Sequence, residues 1–232
     1  MLVDESRDHT GRARISSWPR RIARANFDER NFAFDVAPGC AGRMTISAVL
    51  LAGGESRRMG RDKATSIFEG MPLWRRQLEL LRRLDAKEIF VSARTDPAWR
   101  PADVELVKDA EPSRGPLSGI AAALARMTSD HLLVLAIDLP FVTFEYFKNL
   151  CAQVELGRGI VPTVAARAEP LVAIYPREVV VVFQNALAGK NFSLQPLILR
   201  LVAAGQLRPD TIGPEKSNLF RNLNEPTDLQ VS

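Results

Sequence analysis

Short apolar runs and amphipathic stretches alternate along the chain from about residue 45 onward. The apolar runs are rich in Val, Ile and Leu, which is typical of buried strands, and the amphipathic stretches have helical spacing. The predicted strands begin with a run at Ile46 and continue with Glu88–Ser92, Val104–Lys108, His131–Ile137, Gly159–Val164 and Leu171–Tyr175. The predicted helices are Leu73–Leu84, Leu117–Met127, Phe144–Cys151, Glu178–Leu187 and Leu194–Ala204. This alternation indicates βαβ units and an α/β fold with a mostly parallel sheet.

The first 43 residues have no sustained apolar period. They mix arginines with acidic residues and end in a segment rich in Gly, Ala and Pro. Such a composition buries too little apolar surface to offset the entropy lost on ordering, so we expect residues 1–43 to be a largely disordered extension. Met44 stands just before the first strand and is an alternative start, and residues 44–232 are expected to form the folded domain.

The first strand runs into a pair of glycines, Gly53 and Gly54. Four cations follow within a few residues: Arg57, Arg58, Arg61 and Lys63. Exposed backbone N–H groups beside guanidinium and ammonium groups predict a site for a polyphosphate. The spacing fits neither the Walker phosphate loop nor the G-x-G-x-x-G dinucleotide fingerprint. The alternative is a surface turn that happens to be basic.

A carboxylate ends the most apolar of the predicted strands. Asp138 follows His131–Ile137 directly, and ligands of open α/β folds bind in the crevice at the carboxyl ends of the strands. Mg²⁺ prefers carboxylate and phosphate oxygens, so Asp138 is the predicted Mg²⁺ ligand. The alternative role, a helix N-cap, suits Thr143 better. His131 is interpreted as the residue at which its strand begins rather than as a catalytic base.

The glycine stretch resembles a family signature. Leu51–Lys63 matches L-A-G-G-x-S-x-R-M-G-x-D-K of the molybdenum cofactor guanylyltransferases at every specified position. Shorter matches are G-P-L-x-G at residues 115–119, P-L-x-A-x-Y at 170–175 and N-x-N-x-P-x-[DE]-L at 222–229. The resemblance covers about residues 45–231. It implies a single Rossmann-like nucleotidyltransferase domain, a three-layer α/β/α fold with a mostly parallel sheet.

The resemblance also implies roles for individual residues. Arg58, Lys63 and Asp138 would be catalytic: Arg58 and Lys63 would counter the charge of the leaving group, and Asp138 would hold the metal. The predicted nucleotide- and cofactor-binding positions are Leu51, Ala52, Gly53, Gly54, Lys63, Ser92, Asp109, Gly115, Leu117, Asp138, Asn222 and Asn224. Asn222 and Asn224 would face one side of a strand, and a capping or turn role is the alternative.

One position departs from the family pattern. Family members often have asparagine where this chain has Ser92, in Val91-Ser92-Ala93-Arg94. Serine can still donate and accept a hydrogen bond, but it reaches less far. Contact between Ser92 and the nucleotide is one interpretation, and replacement of that contact by Arg94 is the other.

Composition and charge limit the classes of protein to which this chain can belong. The 232 residues carry a net charge of +4, with sparse aromatic residues that are not interleaved with the cations. A nucleic-acid platform is therefore disfavoured, and a pocket for an anionic small molecule fits better. No apolar run approaches the length of a membrane span. Cys40 and Cys151 are far apart and are expected to be reduced thiols in a cytoplasmic protein.

The activity implied by the resemblance is transfer of GMP from GTP to the molybdenum–molybdopterin cofactor, with release of pyrophosphate. Related cytidylyltransferases have alanine at the position of Gly53, and the glycine is expected to leave room for a purine. One alternative is a cytidylyl- or other nucleotidyltransferase with a different phosphate acceptor. Another is a non-catalytic module that delivers cofactor. Molybdoenzyme apoproteins or their chaperones are the expected protein partners.

Overall fold

The sheet is built around its first strand, which is buried on both sides by neighbouring strands. A computed structural model describes residues 44–53, 62–109 and 112–223. The predictions for residues 1–43 and for Gly54, Arg58 and Asn224 concern positions outside these ranges. The domain boundary at residue 44 therefore stays a prediction.

Strands and helices lie close to the predicted ranges. The strands are β1 (Ile46–Leu51), β2 (Ile67–Phe68), β3 (Met71–Pro72), β4 (Ile89–Ala93), β5 (Glu105–Lys108), β6 (His131–Ala136), β7 (Gly159–Val164), β8 (Arg167–Ala168), β9 (Ile174–Pro176) and β10 (Leu207–Thr211). The α-helices are α1 (Leu73–Arg83), α2 (Pro116–Arg126), α3 (Phe144–Cys151), α4 (Val180–Ala188) and α5 (Leu194–Ala203). Short 3₁₀ segments cover Lys63–Thr65, Arg177–Val179 and Pro214–Phe220.

The order of strands in the main sheet is β10-β7-β9-β6-β1-β4-β5, with β8 paired to β7. Strands β6, β1, β4 and β5 are parallel, and β9 enters between β6 and β7 in the opposite direction. The chain leaves β1 toward β4 and β5 and then crosses to β6 on the other side of β1. This change of direction places a crevice at the carboxyl ends of β1 and β6.

Alternate side chains of β1 pack against opposite layers of helices. Ala48 and Leu50 share one hydrophobic core with residues of α1 and α3. Val49 and Leu51 share the second core with residues of α2, α4 and α5. Because both faces of the strand are covered, its sequence is apolar throughout instead of alternating. The three-layer α/β/α architecture is thus confirmed.

Two features of the second half differ from the prediction. The strand predicted at Leu171–Tyr175 is shifted to Ile174–Pro176, although the carbonyls of Leu171 and Ala173 still accept hydrogen bonds from β6. Strand β10 was missed, because its sequence Leu-Arg-Pro-Asp-Thr has one buried apolar side chain and a proline. Proline is tolerated there since β10 pairs with β7 alone, at the sheet edge.

Hydrogen bonds connect the strands at the amino-terminal edge of the sheet. The Ser47 hydroxyl donates to Glu88 Oε2, and the Thr128 hydroxyl and amide both donate to the Glu88 carboxylate. Thr45 likewise donates its amide and hydroxyl to Asp130. The opposite edge carries Gly53 and Asp138. None of the helices in the described ranges is long and apolar enough to traverse a lipid bilayer.

His131 begins β6 at this amino-terminal edge, as expected of a strand entrance, and its side chain is fully buried. Burial lowers the pKa of His131 below its ordinary value of 6.5, outweighing the raising effect of nearby backbone carbonyls. The unfolded chain therefore takes up a proton near pH 6.5 that the folded chain resists. Stability should be lost as the pH falls through this range.

We expect the free energy of unfolding to fall between about pH 7.5 and pH 5.5, by about 1.4 kcal/mol for each unit of pKa difference at His131. Urea unfolding at several pH values measures this. His131→Gln removes the titrating group and should flatten this part of the profile. Parallel profiles for the wild type and the variant would contradict the prediction.

Candidate functional site

The carboxyl ends of β1 and β6 bring together the two stretches singled out in the sequence. Leu51 pairs with Ala136 in the parallel ladder, and the amide of Ile137 donates to the Leu51 carbonyl at 3.1 Å. Gly53 and Asp138 each lie two residues beyond that last pair. They therefore lie at the same edge of the sheet, at the crevice where the strand order changes direction.

Lys63 and Asp138 form an ion pair across this crevice. Lys63 Nζ donates to Asp138 Oδ2 at 3.2 Å. The side chains are 17% and 26% exposed, so the pair is mostly shielded but still reachable from solvent. The capping alternative for Asp138 is disfavoured, because the Thr143 hydroxyl accepts from the amide of Tyr146 and caps α3.

A second carboxylate, Asp109, lies at the ends of β4 and β5. It is 7% exposed. The Ser92 hydroxyl donates to Asp109 Oδ1 at 2.8 Å, and the Ser113 hydroxyl donates to Oδ2 at 3.1 Å. Two hydroxyl groups thus fix the orientation of a carboxylate that burial would otherwise penalise.

Gly53 packs directly against Asp109. A Cβ atom at position 53 would lie 3.0 Å from Asp109 Oδ2 and 3.6 Å from the Cα of Ala93. A side chain at this position would press on the Asp109 carboxylate. In the structure, glycine at position 53 is therefore explained by the close approach of Asp109. The reason expected from the sequence was a different one, namely room for a purine.

Ser92, which departs from the family pattern, packs against Gly119 of α2. Ser92 is 1% exposed, and a Cβ at Gly119 would lie 2.2 Å from its Oγ. The last glycine of G-P-L-x-G thus allows α2 to pack onto the ends of β1 and β4. Because the Ser92 hydroxyl is buried and bonded to Asp109, the geometry favours support of Asp109 over direct contact with a ligand. Arg94 follows at the exposed end of β4.

The loop before α2 places backbone groups on the crevice side of the sheet, where the helix begins. Gly115 has φ +67°, a conformation that favours glycine, and Pro116 is the first helical residue. The Ser118 hydroxyl accepts from the amide of Arg114 at 2.8 Å. The side chain of Leu117 is buried in the core, so Leu117 could meet a ligand only through its backbone.

The segment after residue 220 reaches the Asp138 side of the crevice. The amide of Leu223 donates to the Asp138 carbonyl at 3.0 Å, and Asn222 beside it is exposed. Residues 221–223 form no strand, so the expected strand alternation of Asn222 and Asn224 is not seen at the described position. Gly54, Arg58 and Asn224 lie outside the described residues, and their roles stay predictions.

Comparison with known proteins identifies the family of this chain. A family model described as a MobA-like NTP transferase domain matches residues 48–203. This chain belongs to that family. A relative from Opitutus terrae, named "Probable molybdenum cofactor guanylyltransferase", is 34% identical over 191 residues, which are 81% of this chain and 95% of the relative.

Solved structures share the MobA-like fold at low sequence identity. Molybdopterin-guanine dinucleotide biosynthesis protein A from Archaeoglobus fulgidus superposes with a TM-score of 0.62 at 23% identity, covering 79% of this chain and 94% of that one. A 4-diphosphocytidyl-2C-methyl-D-erythritol synthase from Anaerococcus prevotii gives a TM-score of 0.60 at 11% identity, covering 80% and 95%. Proteins named for guanine and for cytidine products thus share the fold, so the fold alone does not select the nucleotide.

Ser113 and the packing role of Gly119 were not predicted from the sequence. Ser113 follows an acidic residue and a proline in a loop, and no periodic pattern marks it. Gly119 is part of the quoted G-P-L-x-G motif. Its contact with Ser92 joins residues that are distant in sequence, which the motif does not reveal.

Ser92→Ala should lower the free energy of unfolding by about 1–3 kcal/mol, because a buried carboxylate loses a hydrogen-bond donor. Ser113→Ala is the matched control. It removes the longer bond to the same carboxylate at a less buried position and should cost less. Urea unfolding measures both, and equal losses would argue against the role of Ser92 as the main support of Asp109.

Proposed function

We propose that this protein transfers GMP from GTP to a molybdopterin-type cofactor, releasing pyrophosphate and forming a molybdopterin guanine dinucleotide. The observation that carries the proposal is the Lys63–Asp138 pair at the crevice between β1 and β6. The name of the Opitutus terrae relative supports the choice of nucleotide and acceptor. A cytoplasmic location and molybdoenzyme apoproteins or their chaperones as recipients are parts of the same proposal.

The reaction requires positioning and charge compensation more than covalent chemistry by the protein. An oxygen of the acceptor phosphate forms a bond to the α-phosphorus of GTP, and the bond from that phosphorus to the oxygen bridging to the β-phosphate breaks. The electron pair leaves with pyrophosphate. Because the acceptor phosphate is already ionised, no side chain needs to remove its proton. His131, at the opposite edge of the sheet, is accordingly not needed as a base.

The protein groups at the crevice suit the parts of this reaction. The Lys63 ammonium would compensate the negative charge that develops on the leaving pyrophosphate. The carboxylate of Asp109, oriented by Ser92 and Ser113, would accept hydrogen bonds from the nucleotide. Backbone N–H groups at Gly53 and Gly54 and the guanidinium of Arg58 complete the proposed phosphate site.

The donor set at Asp138 fits Mg²⁺ brought in with a nucleotide. Asp138 is a partly exposed carboxylate, and the described residues contain no cluster of three metal-ligating side chains. Mg²⁺ is commonly held by one or two carboxylates together with substrate phosphates and water, so a single protein carboxylate suffices. When bound, the ion would neutralise phosphate charge and order the triphosphate.

Two alternatives remain distinct from this proposal. A cytidylyl- or other nucleotidyltransferase would share the fold and the Lys63–Asp138 pair but would prefer another base. A non-catalytic delivery module would not need the pair, and its presence at the crevice disfavours that alternative.

Incubation of the purified protein with Mg²⁺, molybdenum-loaded molybdopterin and each nucleoside triphosphate tests the substrate. We expect pyrophosphate and a GMP-bearing dinucleotide with GTP, and little product with CTP, ATP or UTP. Preferred use of CTP would instead support the cytidylyltransferase alternative. Binding of GTP without any product would support the delivery module.

Asp138→Asn should lower the rate of transfer by at least about 100-fold, because it removes the proposed ligand charge while preserving shape. Asp103→Asn is the matched control. Asp103 lies just before β5, at the opposite edge of the sheet, and forms an exposed ion pair with Arg82. Near-equal rates for the two variants, measured by pyrophosphate release, would contradict the role of Asp138.

A further inference from the structure

The short turn that carries Lys63 is held by the residue before it. Asp62 precedes the 3₁₀ segment Lys63–Thr65, and its Oδ1 accepts from the amide of Ala64 at 3.0 Å. The Asp62 carbonyl accepts from the amide of Thr65 at 3.0 Å and from the Thr65 hydroxyl at 2.8 Å. Asp62 thus satisfies the backbone donors of Ala64 and Thr65 in the manner of an N-cap.

The other oxygen of the same carboxylate is bound from a distant loop. The indole Nε1 of Trp99 donates to Asp62 Oδ2 at 2.7 Å. Trp99 belongs to the loop between β4 and β5, and its ring stacks on Trp74 of α1 with centroids 5.7 Å apart and planes 17° from parallel. Helix α1 is itself tied to the turn, since the amide of Leu73 donates to the Ser66 carbonyl at 3.0 Å.

The loop that presents Trp99 has its own restraints. Arg100, next in the chain, forms two hydrogen bonds with the carboxylate of Asp96 and donates to the carbonyls of Pro101 and Val104. The indole is therefore held from two sides, by the ring of Trp74 and by the folded loop behind it. A fixed donor can hold Asp62 in place more effectively than a mobile one.

We propose that Trp99 is a positioning residue for the transfer reaction, acting through Asp62 to hold the Lys63 turn so that the ammonium stays at the Asp138 crevice. The inference rests on the proposed function and deepens it. Asp62 accepts at both carboxylate oxygens, from the Ala64 amide and the Trp99 indole, and so connects the turn to the loop between β4 and β5. Lysine has a long flexible side chain, so where its ammonium can reach depends on where its backbone is held.

The central test compares Trp99→Phe with Trp74→Phe. Each variant keeps an aromatic ring in the stacked pair, but only Trp99→Phe removes the N–H bonded to Asp62. We expect Trp99→Phe to weaken GTP binding and to lower kcat/KM by about 3- to 10-fold, the loss corresponding to one hydrogen bond. Trp74→Phe keeps the bond from Trp99 to Asp62 and should lower both quantities less than Trp99→Phe does. Equal effects of the two variants would overturn the proposal.

A double-mutant cycle distinguishes positioning from a general structural effect. If Trp99 acts through Lys63, Trp99→Phe should have almost no further effect on the Kd for Mg·GTP once Lys63→Met has been introduced. If the two substitutions add in full, Trp99 does not act through Lys63 and the proposal is wrong. Urea unfolding of each variant shows whether a loss of affinity for Mg·GTP is accompanied by a loss in the free energy of unfolding.

Failure of this inference can be told apart from failure of the proposed function. A wild-type protein that neither binds GTP nor releases pyrophosphate contradicts the proposed function itself. A wild-type protein that does both, with a Trp99→Phe variant that matches it in Kd and kcat/KM, contradicts only the role of Trp99.

Discussion

The parallel pairing of β1 with β6 is the constraint on which the site depends. This pairing aligns Leu51 with Ala136, so that Gly53 and Asp138 lie at the same edge of the sheet. Because a one-residue change of register would turn alternate side chains toward the other layer, the two buried cores fix the alignment. The Lys63–Asp138 ion pair spans the crevice created there, where charge can be compensated with little solvent screening.

The two carboxylates at this edge have different surroundings and so suit different tasks. Asp138 is partly exposed and contacts a cation. Asp109 is nearly buried and is held by the hydroxyls of Ser92 and Ser113. The first arrangement suits a divalent ion that arrives with phosphates, and the second suits fixed hydrogen-bond acceptors for a nucleotide. Glycines at 53 and 119 allow the strands and α2 to approach closely enough to build the second site.

Much of the fold could be predicted because buried parallel strands have apolar sequences that stand out from the helices between them. Strand β10 could not, since an edge strand with a proline and charged residues lacks that pattern. The placement of Gly53, Lys63 and Asp138 in the candidate site could be predicted from the ends of the strands and from the spacing of the motif. The hydrogen bonds of Asp109 to Ser92 and Ser113, and of Asp62 to Trp99, depend on tertiary packing. Trp99 and Asp62 are 37 positions apart, and no local pattern links them.

The central claim is that Lys63 and Asp138 act on the same triphosphate. Crystals of the protein with Mn²⁺ and the non-cleavable analogue α,β-methylene-GTP test it most directly, because the anomalous signal of manganese locates the ion independently. We expect Mn²⁺ at roughly 2.1 Å from an Asp138 carboxylate oxygen, a typical ligand distance for small divalent ions, with the Lys63 ammonium in contact with the same analogue's phosphates. A nucleotide bound with its ion away from Asp138, or with Lys63 directed elsewhere, would contradict it.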